Sequence, residues 1–323
     1  MKKFLSPLLK VAVSAGFFLL VLRKVDLKPA MAVLHSACLP LVAISYLAIL
    51  SLTFLLAWRW YLLLKGARQD IFPFSLIWQM TMVGLFFNMF LPTGAGGDLA
   101  KVFYLVRGQE KKLLLGSSVV VDRFIGALTV LTMAVGAILF TRGLEKRVVS
   151  VVGAVFLLCC LALALLVNYN LAVKVSRVID RILPTGFSQR LKQLYQAAFA
   201  YCSRGKTLLA AIGVSFLLQI ISIAAQYLLA RAILPGQLPG LSLISFFVYV
   251  PLIWVATMIP SLGGLGVREF SYVFFFSPYF GREKAFALSL LVLVSVLLQS
   301  FSGAIVFLIV RVPQVSRSEK RRL

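Results

Sequence analysis

Apolar runs of about 18 or more residues recur along the whole chain, and this is the length needed to cross the hydrocarbon core of a bilayer. Runs such as Leu39 to Trp58 are apolar on every helical face, whereas a surface helix of a soluble protein has one polar face. Of 323 residues, 61% are hydrophobic and 13% are charged. The sequence therefore predicts an all-α polytopic membrane protein.

Six of the apolar runs are uninterrupted and predict full transmembrane helices. They cover Leu5 to Leu22, Cys38 to Trp58, Ser117 to Phe140, Val148 to Val167, Leu208 to Leu229 and Ala285 to Val310. Two further runs, residues 72–106 and 243–277, are broken by glycine and proline, and their outgoing arms are too short to span. We expect each of these two to form a re-entrant helical hairpin. Scored as full spans, they would raise the count to eight helices.

The two breaks have nearly the same composition. The first interruption is Pro92-Thr-Gly94-Ala-Gly96-Gly97-Asp98, and the second interruption is Pro260-Ser261-Leu-Gly263-Gly264-Leu-Gly266. Proline ends the incoming helix and glycine permits close backbone approach, so amides and carbonyls are left without helical partners. Broken helices at matching places in two halves are typical of transport sites. The alternative is that glycine and proline serve only kinks and close helix packing.

Loop charge predicts the topology. With both hairpins returning to the side that they left, 22 Lys and Arg fall inside and nine outside, with Arg123 and Arg268 counted on neither side. This excess obeys the positive-inside rule and predicts cytoplasmic termini in the plasma (inner) membrane.

The two halves of the chain are predicted to have opposite orientations, because three crossings per half invert the second half relative to the first. In each half, 25 residues separate the proline of the interruption, Pro92 or Pro260, from the start of the next span. We expect an inverted repeat of residues 1–147 and 148–312, followed by a basic tail, 313–323.

The net charge of +23 is spread over loops and termini. This distribution favours anionic lipid headgroups as partners of the basic loops and argues against nucleic acid. Residues 171–206 predict an amphipathic segment at the membrane interface.

Neither interruption has the spacing of a nucleotide-binding loop. The single histidine, His35, is predicted in a loop, so we expect no metal centre, no cofactor and no catalytic residue.

Ionisable residues within the apolar runs define the candidate substrate site, because each costs roughly 2.5 to 3.5 kcal/mol at the bilayer centre unless it faces a cavity or a partner. Lys101 and Arg268 are the favoured phosphate partners, with Asp98 and Glu269 holding them or carrying a proton. Free amides at the helix starts would add anion binding. The full set is Asn88, Pro92, Gly94, Gly96, Gly97, Asp98, Lys101, Asp122, Arg123, Pro260, Ser261, Gly263, Gly264, Gly266, Arg268 and Glu269.

Asp122 and Arg123 are consecutive and lie about 100° apart on a helix. They cannot face the same partner, so we expect each to meet a charge of one of the hairpins. The alternative for this pair is snorkelling at the interface, because Asp122 lies only five residues past the start of its span at Ser117.

Three segments resemble the flippase-like transmembrane domain of lysylphosphatidylglycerol synthases, which also occurs as a stand-alone protein. They are Asn88 to Lys101, Asp122 to Gly126 and Ile259 to Glu269. The resemblance implies a lipid flippase or transporter that moves a polar-headed lipid, anionic or aminoacylated, between leaflets. In the fused synthases a separate soluble domain transfers lysine. The given chain ends directly after its last predicted span, so we expect no such enzymatic activity.

Two other hypotheses remain open at this point. One is a membrane enzyme that modifies a lipid headgroup, with Glu269 or Asp98 as general base. The other is a non-transporting subunit of a lipid or lipid-linked glycan pathway. A lipid-modifying enzyme is then a possible partner, and the sequence leaves the oligomeric state open.

Overall fold

The fold is known from a computed structural model, which describes residues 2–66, 72–90, 96–106, 112–140, 146–167, 205–234, 242–257 and 263–309, with residues 196, 198, 199, 201, 236, 259 and 261. Every element in these ranges is a helix, which confirms the predicted all-α class. The helices are α1 Lys2–Leu22, α2 Leu27–His35, α3 Leu39–Gly66, α4 Phe74–Phe90, α5 Gly96–Val106, α6 Lys112–Phe140, α7 Lys146–Val167, α8 Gly205–Ile233, α9 Leu243–Ala256, α10 Val267–Phe280 and α11 Arg282–Ile309.

Four helices, α3, α6, α8 and α11, are long and apolar enough to cross a membrane by length and composition. Large apolar side chains on their surfaces stay exposed, such as Leu47 at 67% and Leu308 at 81%. A water-soluble protein rarely exposes apolar surface on this scale. The long helices are therefore membrane-embedded, and the apolar parts of α1, α4, α7 and α9 within the described residues are shorter.

The contacts between helices follow the same pattern in the two predicted halves. The long helices α3 and α8 pack against each other, α11 packs on α4, and α6 packs on α9. Likewise α5 contacts α6, and α10 contacts α11. The last helix of each predicted half thus lies against the first arm of the interrupted run in the other half.

The outgoing arms of the interrupted runs are short helices. α5 has 11 residues and α10 has 14, both fewer than the roughly 20 that a full crossing needs. Each begins immediately at its interruption, because α5 starts at Gly96 and α10 at Val267. Asp98, Arg268 and Glu269 therefore lie in the first turns of helices, and Lys101 lies in the second turn of α5.

Two sequence-based expectations are corrected by the helix bounds. His35 is the last residue of the short helix α2, not part of a loop. α3 continues to Gly66, well beyond the predicted end at Trp58, because Trp60 to Leu64 are again helix-forming and apolar. Most of residues 171–206 and all of 313–323 lie outside the described residues.

Two buried clusters hold the helices together. One surrounds Trp60, Leu63 and Ile77, on α3 and α4. The other surrounds Phe246 and Phe276, on α9 and α10. Each cluster joins one interrupted run to its neighbouring helices, so α5 and α10 are both packed against buried apolar side chains.

Candidate functional site

The two arms of the first interrupted run cross with their backbones in direct contact. A Cβ atom on Gly97 would collide with the carbonyl oxygen of Gly84 on α4, so a larger residue does not fit here. The Gly97 N–H donates to Asn88 Oδ1 at 2.9 Å. This bond satisfies one of the amides that a helix start leaves without a partner.

Asp98, in the first turn of α5, holds two cations. Lys101 Nζ lies 2.9 Å from Asp98 Oδ1, and Arg123 Nε lies 2.5 Å from Asp98 Oδ2. The ammonium group of Lys101 is also 4.7 Å from the ring centroid of Trp60, a cation–π distance. Lys101 and Asp98 are buried, whereas the Arg123 side chain is 54% exposed. Two cations on one carboxylate leave one positive charge in excess.

Asp122 is paired with Arg59 of α3 in a bidentate ion pair. Arg59 donates from Nε to Asp122 Oδ1 at 2.7 Å and from Nη2 to Oδ2 at 2.9 Å. Its Nη1 donates to Ser215 Oγ at 2.8 Å, and Ser215 shares a second bond with Thr129 at 2.8 Å. A buried pair in which each guanidinium nitrogen makes a hydrogen bond avoids the cost of an isolated charge at this depth.

We expected Asp122 to pair with a charge of one of the hairpins. That expectation is wrong, because its partner is Arg59 of α3. Asp122 does not snorkel to the interface either, because it is only 5% exposed and paired with Arg59. Arg59 was missed because it was assigned to an inner loop. The signal that could have found it is the apolar stretch Trp60 to Leu64, which continues beyond the arginine. Arg123 does meet a charge of an interrupted run, and that charge is Asp98.

The second interruption ends in a glycine turn at the start of α10. Gly266 has φ of 80°, and a Cβ there would collide with the carbonyl oxygen of Ser14 on α1. Its N–H donates to Glu269 Oε2 at 2.6 Å. Arg268 donates from Nε and Nη2 to Glu269 Oε1 at 3.1 and 3.0 Å. Glu269 is fully buried, so it serves as a helix cap and an ion-pair partner at once.

At each helix start, one of the amides that we expected to be free is bound by a side chain. At α10 the carboxylate of Glu269 already occupies the N-terminus, and at α5 the side chain of Asn88 does so. Arg268 is neutralised by a single carboxylate, and so is Arg59. Among the three ion-paired groups, those of Arg59, Asp98 and Arg268, only the Asp98 group has an excess of positive charge. An added anion is therefore best stabilised there.

The second interruption approaches the end of α4 at a small cavity. Gly263 lies against the end of α4, since a Cβ on it would be 3.2 Å from the carbonyl oxygen of Met89. The cavity has a volume of about 110 Å³ and is lined by Leu85, Asn88, Met89, Gly263, Val296, Gln299 and Ser300. None of the four charges that follow the interruptions, Asp98, Lys101, Arg268 and Glu269, lines this cavity.

Residues 8–305 match the family model described as lysylphosphatidylglycerol synthase TM region. The chain belongs to this family. The match confirms the resemblance and includes both interruptions and the Asp122-Arg123 pair. No curated protein and no solved structure matched the chain. Membership and the membrane-length helices make the chain a multi-pass membrane protein related to lipid modification or lipid flipping.

The remaining predicted site residues fall at or beside the interruptions. Ser261 is buried and donates to the carbonyl oxygen of Ile259 at 3.1 Å. Gly264 lies against Thr257, and Gly96 is the first residue of α5. Pro92, Gly94 and Pro260 lie outside the described residues.

Proposed function

We propose that this chain moves a polar-headed, anionic lipid between the two leaflets of the plasma (inner) membrane. The observation that carries the proposal is the group of Asp98, Lys101 and Arg123, in which two cations share one carboxylate. This excess charge lies at the start of a helix too short to cross the bilayer. Partial-length helices with a charged start are a recurrent feature of transporter substrate sites.

Arg123 is suited to receive the lipid phosphate. Its side chain is 54% exposed, while the Asp98 side chain that it contacts is 8% exposed. A guanidinium that is already oriented by one carboxylate retains free N–H donors for a second oxyanion. Lys101 remains bound to Asp98 and keeps the carboxylate neutralised when Arg123 turns toward the lipid.

The proposed topology is six full spans and two re-entrant hairpins in an inverted repeat, with both termini cytoplasmic. Support comes from the loop charges, from the shortness of α5 and α10, and from the reciprocal packing of α11 on α4 and α6 on α9. Rocking of one half against the other would expose the Asp98 group to each leaflet in turn. The lipid tails would stay in the bilayer throughout.

Transport without chemical change fits the side chains better than headgroup modification does. Both carboxylates suggested as general bases are committed to ion pairs, Asp98 with two cations and Glu269 with Arg268 and a backbone amide. A general base must be within reach of the proton that it removes and free to accept it. We therefore propose that the chain is not an enzyme. A lipid-modifying enzyme stays a possible partner.

The test is leaflet exchange in proteoliposomes that contain the purified full chain and a fluorescent anionic phospholipid. The Arg123→Gln variant is expected to lose at least about tenfold in exchange rate, since removal of one charge-assisted contact costs roughly 1.5 to 3 kcal/mol. Arg282→Gln is the matched control, because Arg282 is exposed at the start of α11, outside the ion-paired groups. Equal rates for wild type and Arg123→Gln would contradict the proposal.

A further inference from the structure

The cavity between α4, α11 and Gly263 of the second interruption contains a buried hydroxyl group that has no partner among the described residues. Ser300 is 3% exposed and lines the cavity, and its Oγ makes no hydrogen bond within the described part of the chain. A buried polar group without a partner destabilises the folded state, because its desolvation is not compensated. Such a group is well explained by an occupant that supplies the missing bond.

Two amide side chains complete the polar lining, and their backbone partners fix which atoms remain available. Asn88 accepts an N–H through Oδ1, so its NH₂ group remains a donor. Gln299 donates from Nε2 to the carbonyl oxygen of Ile49 at 2.7 Å, so its Oε1 remains an acceptor. A donor, an acceptor and a hydroxyl together match an occupant with hydroxyl groups, which both donate and accept.

The cavity offers nothing to a charged group. None of its lining residues is ionisable. An ammonium group, such as that of an aminoacylated lipid, would find no carboxylate here, and an uncompensated charge at this depth is expensive. The lining therefore selects a neutral, hydroxylated occupant.

The volume suits a small polyol. A cavity of about 110 Å³ holds several water molecules, since one needs only about 10 to 15 Å³ on this measure. Asn88 connects the cavity to the cationic group, because its Oδ1 caps Gly97, the residue before Asp98. A phosphate at Arg123 and a hydroxylated group in the cavity are thus served by adjacent residues of one site.

We infer that the transported lipid has an anionic phosphate and an uncharged, hydroxylated headgroup, with the phosphate at Arg123 and the hydroxyl groups bound by Asn88, Gln299 and Ser300. The inference rests on the proposed function and narrows its substrate. It favours a glycerol-type headgroup over an aminoacylated one. It also assigns Ser300 a role in recognition that requires no charge.

The experiment compares three fluorescent lipids in proteoliposomes that contain the full chain: phosphatidylglycerol, phosphatidic acid and lysyl-phosphatidylglycerol. Wild type is expected to exchange phosphatidylglycerol fastest. Ser300→Ala removes the unpartnered hydroxyl, so the fold is expected to stay intact. The preference for phosphatidylglycerol over phosphatidic acid should fall about two- to tenfold, as for one neutral hydrogen bond. Ser302→Ala is the matched control, because its Oγ donates to the carbonyl oxygen of Gln299 on the same helix.

A second variant keeps the inference testable if Ser300→Ala alters the fold. Val296→Phe fills the cavity from α11 and should remove the preference for phosphatidylglycerol while exchange of phosphatidic acid continues. Equal wild-type exchange of phosphatidylglycerol and phosphatidic acid, or fastest exchange of lysyl-phosphatidylglycerol, would overturn the inference but not the proposed function. An unchanged preference in both variants would mean that the cavity holds only water. Absence of exchange for every lipid would instead overturn the proposed function.

Discussion

Arg123 Nε lies 2.5 Å from Asp98 Oδ2, and this contact joins α6 to the first turn of α5. The preceding residue, Asp122, binds Arg59 of α3 with both carboxylate oxygens. Two consecutive residues thus connect the short helix of the first interrupted run to the long helices α3 and α8. The Arg59 pair is buried and balanced, while the Asp98 group has a spare positive charge, so the first is suited to structure and the second to ligand binding.

Breaking the Arg59–Asp122 pair should destabilise the fold. Arg59→Met leaves the buried carboxylate of Asp122 unpaired, which is expected to lower the free energy of unfolding by about 3 to 5 kcal/mol. The double variant Arg59→Met/Asp122→Leu should regain most of that loss, because no buried charge remains. Thermal unfolding in detergent micelles measures both. A double variant as unstable as Arg59→Met would contradict a purely structural role for the pair.

The close crossing of α4 and α5 predicts intolerance at Gly97. Gly97→Ala places a methyl group against the carbonyl oxygen of Gly84, so the arms must separate and the Asn88 bond to this amide must break. We expect a lower unfolding temperature and loss of lipid exchange. Gly213→Ala on α8 is the control, since a Cβ there meets no atom within 4 Å. Similar behaviour of the two variants would show that the crossing is not tight.

Removing the charge of Arg268 should destabilise the fold, and any loss of transport should follow from that loss of stability. Glu269 is fully buried and has Arg268 as its ion-pair partner, so Arg268→Met is expected to destabilise the protein by about 3 to 5 kcal/mol. In Arg268→Met/Glu269→Gln the amide oxygen can still accept from the Gly266 N–H, and stability should recover. Circular dichroism on heating distinguishes these outcomes. A stable Arg268→Met variant that lacks exchange would instead make Arg268 a substrate contact.

The sequence predicted the positions of the helices better than it predicted the contacts between their side chains. Hydrophobicity located the long helices and both interruptions, because bilayer length and glycine–proline breaks are local properties of the sequence. The pairing of Arg123 with a charge of an interrupted run was anticipated, since few charges are available within apolar runs, but Asp98 was not named as its partner. Arg59 was not, because a cation near the end of an apolar run has the same sequence pattern whether it lies in a helix or in a loop.

Which helices face each other was also beyond the sequence. Helical geometry places Asp122 and Arg123 about 100° apart but does not say which neighbour each one meets. The capping role of Glu269 depends on the glycine turn at Gly266, whose φ of 80° is a tertiary feature that brings the backbone against α1. The neutral lining of the cavity combines α4, α11 and the second interruption, which are distant in sequence.

The hairpin topology predicts that residues 67–71 and 107–111 lie on the same side of the membrane. In a cysteine-free background, Arg68→Cys and Gln109→Cys should both react with a membrane-impermeant thiol reagent from the cytoplasmic side and neither from outside. A variant that retains Cys38 alone is the control for labelling from outside, because Cys38 directly precedes α3 and is exposed. Labelling of positions 68 and 109 from opposite sides would mean that the first interrupted run crosses the membrane completely.

The central claim is that one excess positive charge at Asp98 drives recognition of the lipid phosphate, and Lys101→Met tests it most directly. This variant leaves the contact of Arg123 with Asp98 possible but brings the net charge of the group to zero. We predict that proteoliposomes with wild type exchange phosphatidylglycerol much faster than a zwitterionic phospholipid, and that Lys101→Met reduces the phosphatidylglycerol rate by at least about tenfold, with its unfolding temperature measured alongside. A folded Lys101→Met variant with the wild-type rate would contradict the account.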